Sequence, residues 1–329
     1  VGTLEEWLES LKGGGGSNDL ADITFKQTNE AGAVAKPALK KFRNWAFFGD
    51  RRSITGNGTS DDTAAAQNEI AYANSVNQKL WFPPGMKIRT TATLLCSKWT
   101  QIEGQGSVLQ KNNGNPLGLG EWTGFFFDHN AIGLLAASAD TNTWDQAHFC
   151  RFMIDRPQPA AVPNQAWTPT PCDFDISMAG CSGSVIGVEP FKSTNFLRID
   201  RNYGHQVLID HVKGQVFNVG IQVITALDSV YLRQAHFWPF WSGGYGIPTA
   251  EPVLAYMLTG HIGLQTQRVD GISVGDLFCF APRCTWLIDG HAPDANGIGG
   301  TLNNGTFHKV YNDNGANTFT VTGAADGFM

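Results

Sequence analysis

From Leu80 onward, short β-prone runs alternate with turns rich in Gly, Asn and Asp. KIRTTATLLC (87–96), WTQIEGQGSVLQ (99–110) and GFFFDHN (124–130) are the clearest. Such runs put apolar side chains on a core and leave the others outside. Repeated along the chain, they predict coils of a solenoid, each stacked on the last. One stretch instead has the period of a helix. Ala66, Ile70 and Ala73 share a narrow apolar face over about 61–76, with Ser60 as expected N-cap and Asp61 and Asp62 in the first turn, where the dipole favours negative charge. A helix with so thin a face needs something broad and flat to lie on. Leu80, Trp81 and Phe82 follow as a compact strand, which Pro83, Pro84 and Gly85 end.

Two stretches break the rhythm. Residues 134–175 carry Pro157, Pro159, Pro163, Pro169 and Pro171 and predict, in part, a long loop thrown out from the solenoid. PFWSGGYGIPTAEPVL (239–254) predicts a second excursion. Between and beyond them, VLIDHVKG, TALDSVYL and QRVDGISV superimpose on Asp210, Asp228 and Asp270. The first spacing, 18 residues, suits one lean coil; the second, 42, suits two coils or one coil plus the excursion.

At the N-terminus, Thr3 and Glu6 fit a capping box. Leu4, Trp7, Leu8 and Leu11 then form the stripe of a short helix, and Gly13–Ser17 reads as a flexible linker. The expected division is an anchor over 1–17, a neck over 18–57 and a solenoid over 58–329. The neck is read as an extended piece around Ile23–Phe25, then a helix from Lys36 with Pro37 in its first turn and Leu39 and Phe42 on its face. The C-terminal stretch 305–329 still reads as coil and turn without a polar cap, so the chain is expected to continue past Met329.

These residues carry a resemblance. GTSDDTAAAQNEI (58–70) with KLWFPPGMKI (79–88) resembles the opening of pectate-lyase-like right-handed parallel β-helices, where a helix plugs the first coil. ITFKQTNEAGAVAKPALKKFRNWAFFGD (23–50) is similar to the neck of bacteriophage tailspikes, and GQVFNVGIQVITALDSVYLRQAHFWPFW (214–241) to a mid-helix stretch of such proteins. The resemblance implies an all-β homotrimeric virion protein, made in the host cytoplasm. It would bind and cleave bacterial surface polysaccharide, with residues 1–57 held by another tail or baseplate protein. The alternatives are a non-catalytic adhesin or structural tail protein, and a cellular pectin-degrading enzyme.

Composition narrows this further. Only 16% of the 329 residues are charged, with 38 Gly and a net charge of −6. The one basic cluster, Lys36, Lys40, Lys41, Arg43, Arg51 and Arg52, reads as a solvated neck surface, so no nucleic-acid partner is expected. No apolar run reaches the roughly 18 residues of a membrane span, so no membrane partner is expected either. Cys96, Cys150, Cys172, Cys181, Cys279 and Cys284 show no metal-like spacing and read as buried thiols, a Cys172–Cys181 bridge being the alternative. Neither metal nor cofactor is expected.

Candidate chemistry gathers around the second excursion. Adjacent coils bring carboxylates about 5 Å apart and next-but-one coils about 10 Å, which brackets the two glycosidase geometries. Asp228, Glu251, Asp270 and Asp276 are the catalytic candidates, although an Asp opening a strand serves equally well as a turn residue. Trp238, Trp241 and Tyr245 offer planes for stacking on sugar, while Phe237 and Phe240 read as core. Arg233 and Arg268 are available for acidic groups, and His236 for proton transfer. A hydrolase is the favoured activity over a lyase.

Overall fold

The computed structural model describes residues 24–25, 36–37, 45–49, 53–96, 99–104, 122–137, 145–202, 206–239, 251–290, 292 and 299–322. The chain divides into two compact units, Val1–Ala46 and Phe47–Met329. In the first, Thr24–Phe25 pairs antiparallel with Lys36–Pro37. Lys36 and Pro37 therefore form a strand and not the expected first helical turn. The pyrrolidine ring pushes the residue before it away from the α region. The amphipathic segment 1–17 and the positions Leu39 and Phe42 lie outside the described residues.

The second unit is a parallel β-helix with three strand-bearing faces. On the first, Lys79–Trp81, Thr100–Glu103, Gln146–Cys150, Ser182–Ile186 and Val207–Asp210 stack in parallel, continued by segments of Val216–Phe237, Val269–Phe280 and Gly305–Asp313. On the second, Asn57–Asp61, Lys87–Thr90, Gly124–Phe127, Met153–Asp155 and Glu189–Phe191 do the same. On the third, Leu94–Cys96, Leu134–Ala137, Phe174–Ala179, Ser193–Asn202, the start of Val216–Phe237, Ile262–Thr266, Cys284–Ile288 and Asn317–Val321 stack in order.

Register converts the strand period into columns of like side chains. Leu80, Ile102, Phe149, Val185, Ile209, Leu232 and Val274 align coil over coil on the first face. On the third, Leu94, Leu134, Ile176, Leu197, Ile221, Leu264 and Trp286 align. All are buried, and together they form the axial core. At the start of the stack Phe48, Phe82, Phe125 and Phe152 pack ring on ring, with centroids 4.6 Å apart for Phe48–Phe82 and 4.9 Å for Phe82–Phe125.

Helix α1, Thr63–Ser75, buries Ala66, Ile70 and Ala73 as expected, together with Glu69. It starts later than expected, with Asp62 at the N-cap, because the acidic pair is used elsewhere. Asp61 accepts from the Thr63 N–H at 3.0 Å and the Thr91 hydroxyl at 2.7 Å. Asp62 accepts from the N–H groups of Thr55 at 2.8 Å and Gly56 at 2.9 Å. Ser60 thus lies in the preceding strand and not at the cap. Gln67 then pairs with the backbone of Leu95 in both directions, at 2.9 and 2.7 Å. Its amide completes a strand edge that would otherwise be open.

Residues 156–173 form the expected loop without strands. Arg156 roots it. The guanidinium is fully buried, bonds Asp175 at 2.5 Å and reaches the carbonyls of His129 at 2.5 Å and Ala131 at 3.1 Å, while Ser193 donates to the other Asp175 oxygen. Further along, Trp167 packs edge-on against Phe217 at 4.8 Å and Tyr256 at 5.7 Å. Tyr256 belongs to helix α2, Glu251–Gly260, so the second excursion is partly helical. All six cysteines are free thiols, so Cys172 and Cys181 are not bridged. Among the described residues, the last strands leave Phe307 47% exposed, Phe319 37% and Val321 52%.

Candidate functional site

Two depressions on the first face share a residue, and a third opens at the corner leading to the second face. The central one, about 700 Å³, is lined by Gln146, His148, Gly183, Leu208, Asp228, Tyr231 and Arg233, from four consecutive coils. His148 is shared with a neighbouring depression of about 240 Å³ that also holds Lys79, Gln101, Glu103 and Cys150. A third, about 390 Å³, opens at the corner between Arg151, Gly187, Glu189, His211, Lys213 and His236.

The polar lining is organised by register. Gln101, His148, Ser184, Leu208 and Tyr231 follow one another on the outward side of the first face. His148 Nδ1 lies 2.9 Å from the Ser184 hydroxyl and Nε2 3.3 Å from the side-chain Oε1 of Gln146. Burial lowers its affinity for a proton, and the Lys79 charge lowers it further. The ring is therefore a neutral hydrogen-bonding group near neutral pH. Tyr231 projects its ring outward and is 39% exposed. Gly183 shapes the floor: its φ is +137°, and a Cβ there would come within 1.8 Å of the Ala147 carbonyl oxygen. The backbone approach at this point excludes any side chain.

Charges in the groove are mostly paired. Glu103 is held by Lys79 at 2.5 Å and by Arg151. Asp210 contacts His211 at 2.9 Å and, more loosely, Arg233 at 3.9 Å. Glu189 sits 3.5 Å from Lys213. Asp228 has one oxygen taken by the Ser229 N–H at 2.6 Å and lines the central depression. Such a carboxylate is suited to accept a hydroxyl or to exchange a proton with a bound polyol.

No protein-family model matches the chain, and no curated protein matches it. Among solved structures it is similar to the tailspike protein of the Acinetobacter phage vB_ApiP_P1, at 10% identity and a TM-score of 0.27 over 93% of this chain and 63% of that one. It is also similar to tailspike protein 3 of bacteriophage CBA120, at 12% identity and a TM-score of 0.25 over 100% of this chain and 70% of that one. The chain thus spans under two thirds of the length of the first. At so low a superposition these likenesses carry no argument about function, and the fold stands on the strand ladders themselves.

Of the sequence candidates, Asp228 and Arg233 reach the central groove. Asp228 and Asp270 lie in adjacent coils, since Ser229 pairs with Gly271, so their spacing is one coil plus the excursion. Asp210 does not align with Asp228 as the repeat suggested. Val207 pairs with Val230 and Ile209 with Leu232, which makes the coil step 23 residues and displaces the 18-residue alignment. Asp270 is instead tied to Arg268 and accepts from Asn303 at 2.5 Å, which makes both members of that pair local fasteners.

Asp276 pairs in register with Gln234 and Lys309, and its charge acts on His236, whose proton affinity burial lowers. His236 lies edge-on to Phe278 at 4.5 Å and 6.5 Å from Trp238. Glu251 sits at the N-terminus of α2, in a separate depression with Trp167 and Tyr256. Phe237 is core. Phe240, Trp241 and Tyr245 lie outside the described residues. Sequence reasoning missed Gln146 and His148, which come from another coil, and Tyr231 and His211, which lie inside the repeat pieces but were not read as lining. Among the described residues no cluster of three or more His, Cys, Asp or Glu side chains is placed to hold a metal.

Proposed function

We propose that this chain is the β-helical body of a phage tailspike that binds bacterial surface polysaccharide along the groove of its first face. The observation that carries the reading is continuity: depressions of about 240 and 700 Å³ share His148, and the third lies at the next corner. A trough crossing coil after coil suits an extended polymer better than a small metabolite. Its lining suits sugar, with the exposed Tyr231 ring for a C–H face and amide, hydroxyl, imidazole and carboxylate groups for hydroxyls. The resemblance of residues 58–88 and 23–50 to tailspike segments points the same way and implies a homotrimer carried on the virion through residues 1–57.

Hydrolysis is the favoured activity, with Asp228 as the carboxylate assigned to proton transfer. The pairing of Glu103, Glu189 and Asp210 with cations favours a second reading, binding without cleavage. Incubation with a panel of purified capsular and O-antigen polysaccharides separates them. New reducing ends that Asp228→Asn abolishes support the hydrolase. New reducing ends accompanied by ultraviolet absorbance of an unsaturated product mean a lyase, and tight binding without either means an adhesin. If no polysaccharide of the panel binds, and Tyr231→Ala changes nothing, the groove reading fails.

A further inference from the structure

The corner between the first and second faces is built from a ladder of its own. The Gly104 N–H donates to the carbonyl of Cys150 at 2.8 Å, Arg151 N–H to that of Ile186 at 2.8 Å, and Gly187 N–H to that of Asp210 at 2.9 Å. Gly104, Arg151, Gly187 and His211 are thereby stacked, one per coil, in the alternation small, large, small, large. Arg151 and His211 both hold a positive φ, +55° and +50°, a conformation that is strained for a non-glycine residue. Gly187, at φ +62°, needs no side chain to be kept there, and a Cβ would lie 3.2 Å from Arg151 Cγ.

The result is a notch two coils wide, about 10 Å, between a guanidinium and an imidazole. Gly187 is its floor, and it lies in the depression of about 390 Å³. On the second-face side Lys213 and Glu189 pair at 3.5 Å; Gln234 and His236 complete the wall. The Arg151 side chain is 54% exposed and lines the notch while it also bonds Glu103.

We propose that this notch is a subsite for a carboxylate-bearing sugar, a uronic acid of the bound polysaccharide, with Arg151 as the fork for the carboxylate and Lys213 as the second cation. A planar fork matches a carboxylate in a way that a point charge does not. The gap at Gly187 gives a sugar ring room to settle between Arg151 and His211. The assignment deepens the groove reading and rests on it for the polymer, but not for the acidic sugar.

The test uses the full chain with ¹³C-labelled histidine and titration with glucuronate, glucose and inorganic phosphate. Glucuronate is expected to shift His211 and His236 saturably while leaving His148 in place, and glucose to shift neither. Arg151→Gln is expected to weaken glucuronate binding at least tenfold, and Gly187→Ser to abolish it. Because Gly187→Ser strains the corner, Arg151→Gln is the deciding variant, with unchanged His148 resonances as the check on folding. Equal responses to glucose and glucuronate, no response to either, or phosphate binding as tightly as glucuronate would each overturn the subsite. Polysaccharide binding lost in Tyr231→Ala but kept in both notch variants would leave the groove standing and remove the subsite. Glucuronate binding without any polysaccharide binding would do the reverse.

Discussion

At the residue scale the most consequential side chains are the buried charges. Arg156 and Asp175 are both fully buried, and the guanidinium is saturated by a carboxylate and by backbone carbonyls. Removing one partner leaves the other charged and unpaired in the core. Asp175→Ala is therefore expected to cost about 3–5 kcal/mol, read as a fall in the denaturant midpoint, whereas a double Arg156→Met, Asp175→Leu variant recovers much of it. The acid range offers a second residue-scale test. Burial holds His261 down to about 4, so the unfolded chain takes up its proton first and stability falls as pH drops from about 6.5 towards 4. Burial also raises Asp155 to about 6, against the opposing pull of Lys192 3.1 Å away, so the folded state takes up that proton first and stability rises as pH drops from about 6. The two shifts, on the order of 3 kcal/mol each, oppose each other. Urea unfolding at about pH 7 and about pH 4.5 is expected to show them partly offset in the wild type. Asp155→Asn then exposes the histidine loss and His261→Gln the opposite slope; parallel pH profiles for all three proteins would contradict the assignment.

At the element scale, two helices are held by single side chains more than by broad faces. Gln67 serves α1 as a strand substitute, and Gln67→Ala frees both backbone groups of Leu95. The expected cost is about 1–3 kcal/mol, with faster hydrogen exchange at Leu95 as the local readout. Trp167 joins the proline-rich loop to α2 through Phe217, Val253, Met257 and Tyr256. Trp167→Ala removes that wedge and should cost about 3–5 kcal/mol, with proteolysis appearing first in residues 156–173. The start of α1 shows why the helix was legible but its cap was not. Ala66, Ile70 and Ala73 advertise a helix locally. Asp61 and Asp62 find their donors at Thr91 and at Thr55 and Gly56, and no window of sequence reveals which donor a carboxylate will meet. The Asp210–Asp228 alignment failed for a related reason: a solenoid conserves the geometry of a coil, not its residue count, and turn residues imitate a repeat.

For the whole molecule, the groove predicts that Tyr231→Ala weakens polysaccharide binding about tenfold, the loss of an aromatic contact worth about 1.4 kcal/mol, without moving the unfolding midpoint.

The alternation of apolar and polar positions was enough to point to the solenoid, to the helix expected over about 61–76 and to the loop within 134–175, because each depends on neighbours within a few residues. The groove was decided by tertiary structure alone. Asp228, Tyr231 and Arg233 share one strand, but Gln146, His148, Gly183 and Leu208 meet them only because coils of unequal length lie in register, and register is fixed by the whole stack of buried columns, which no local pattern records.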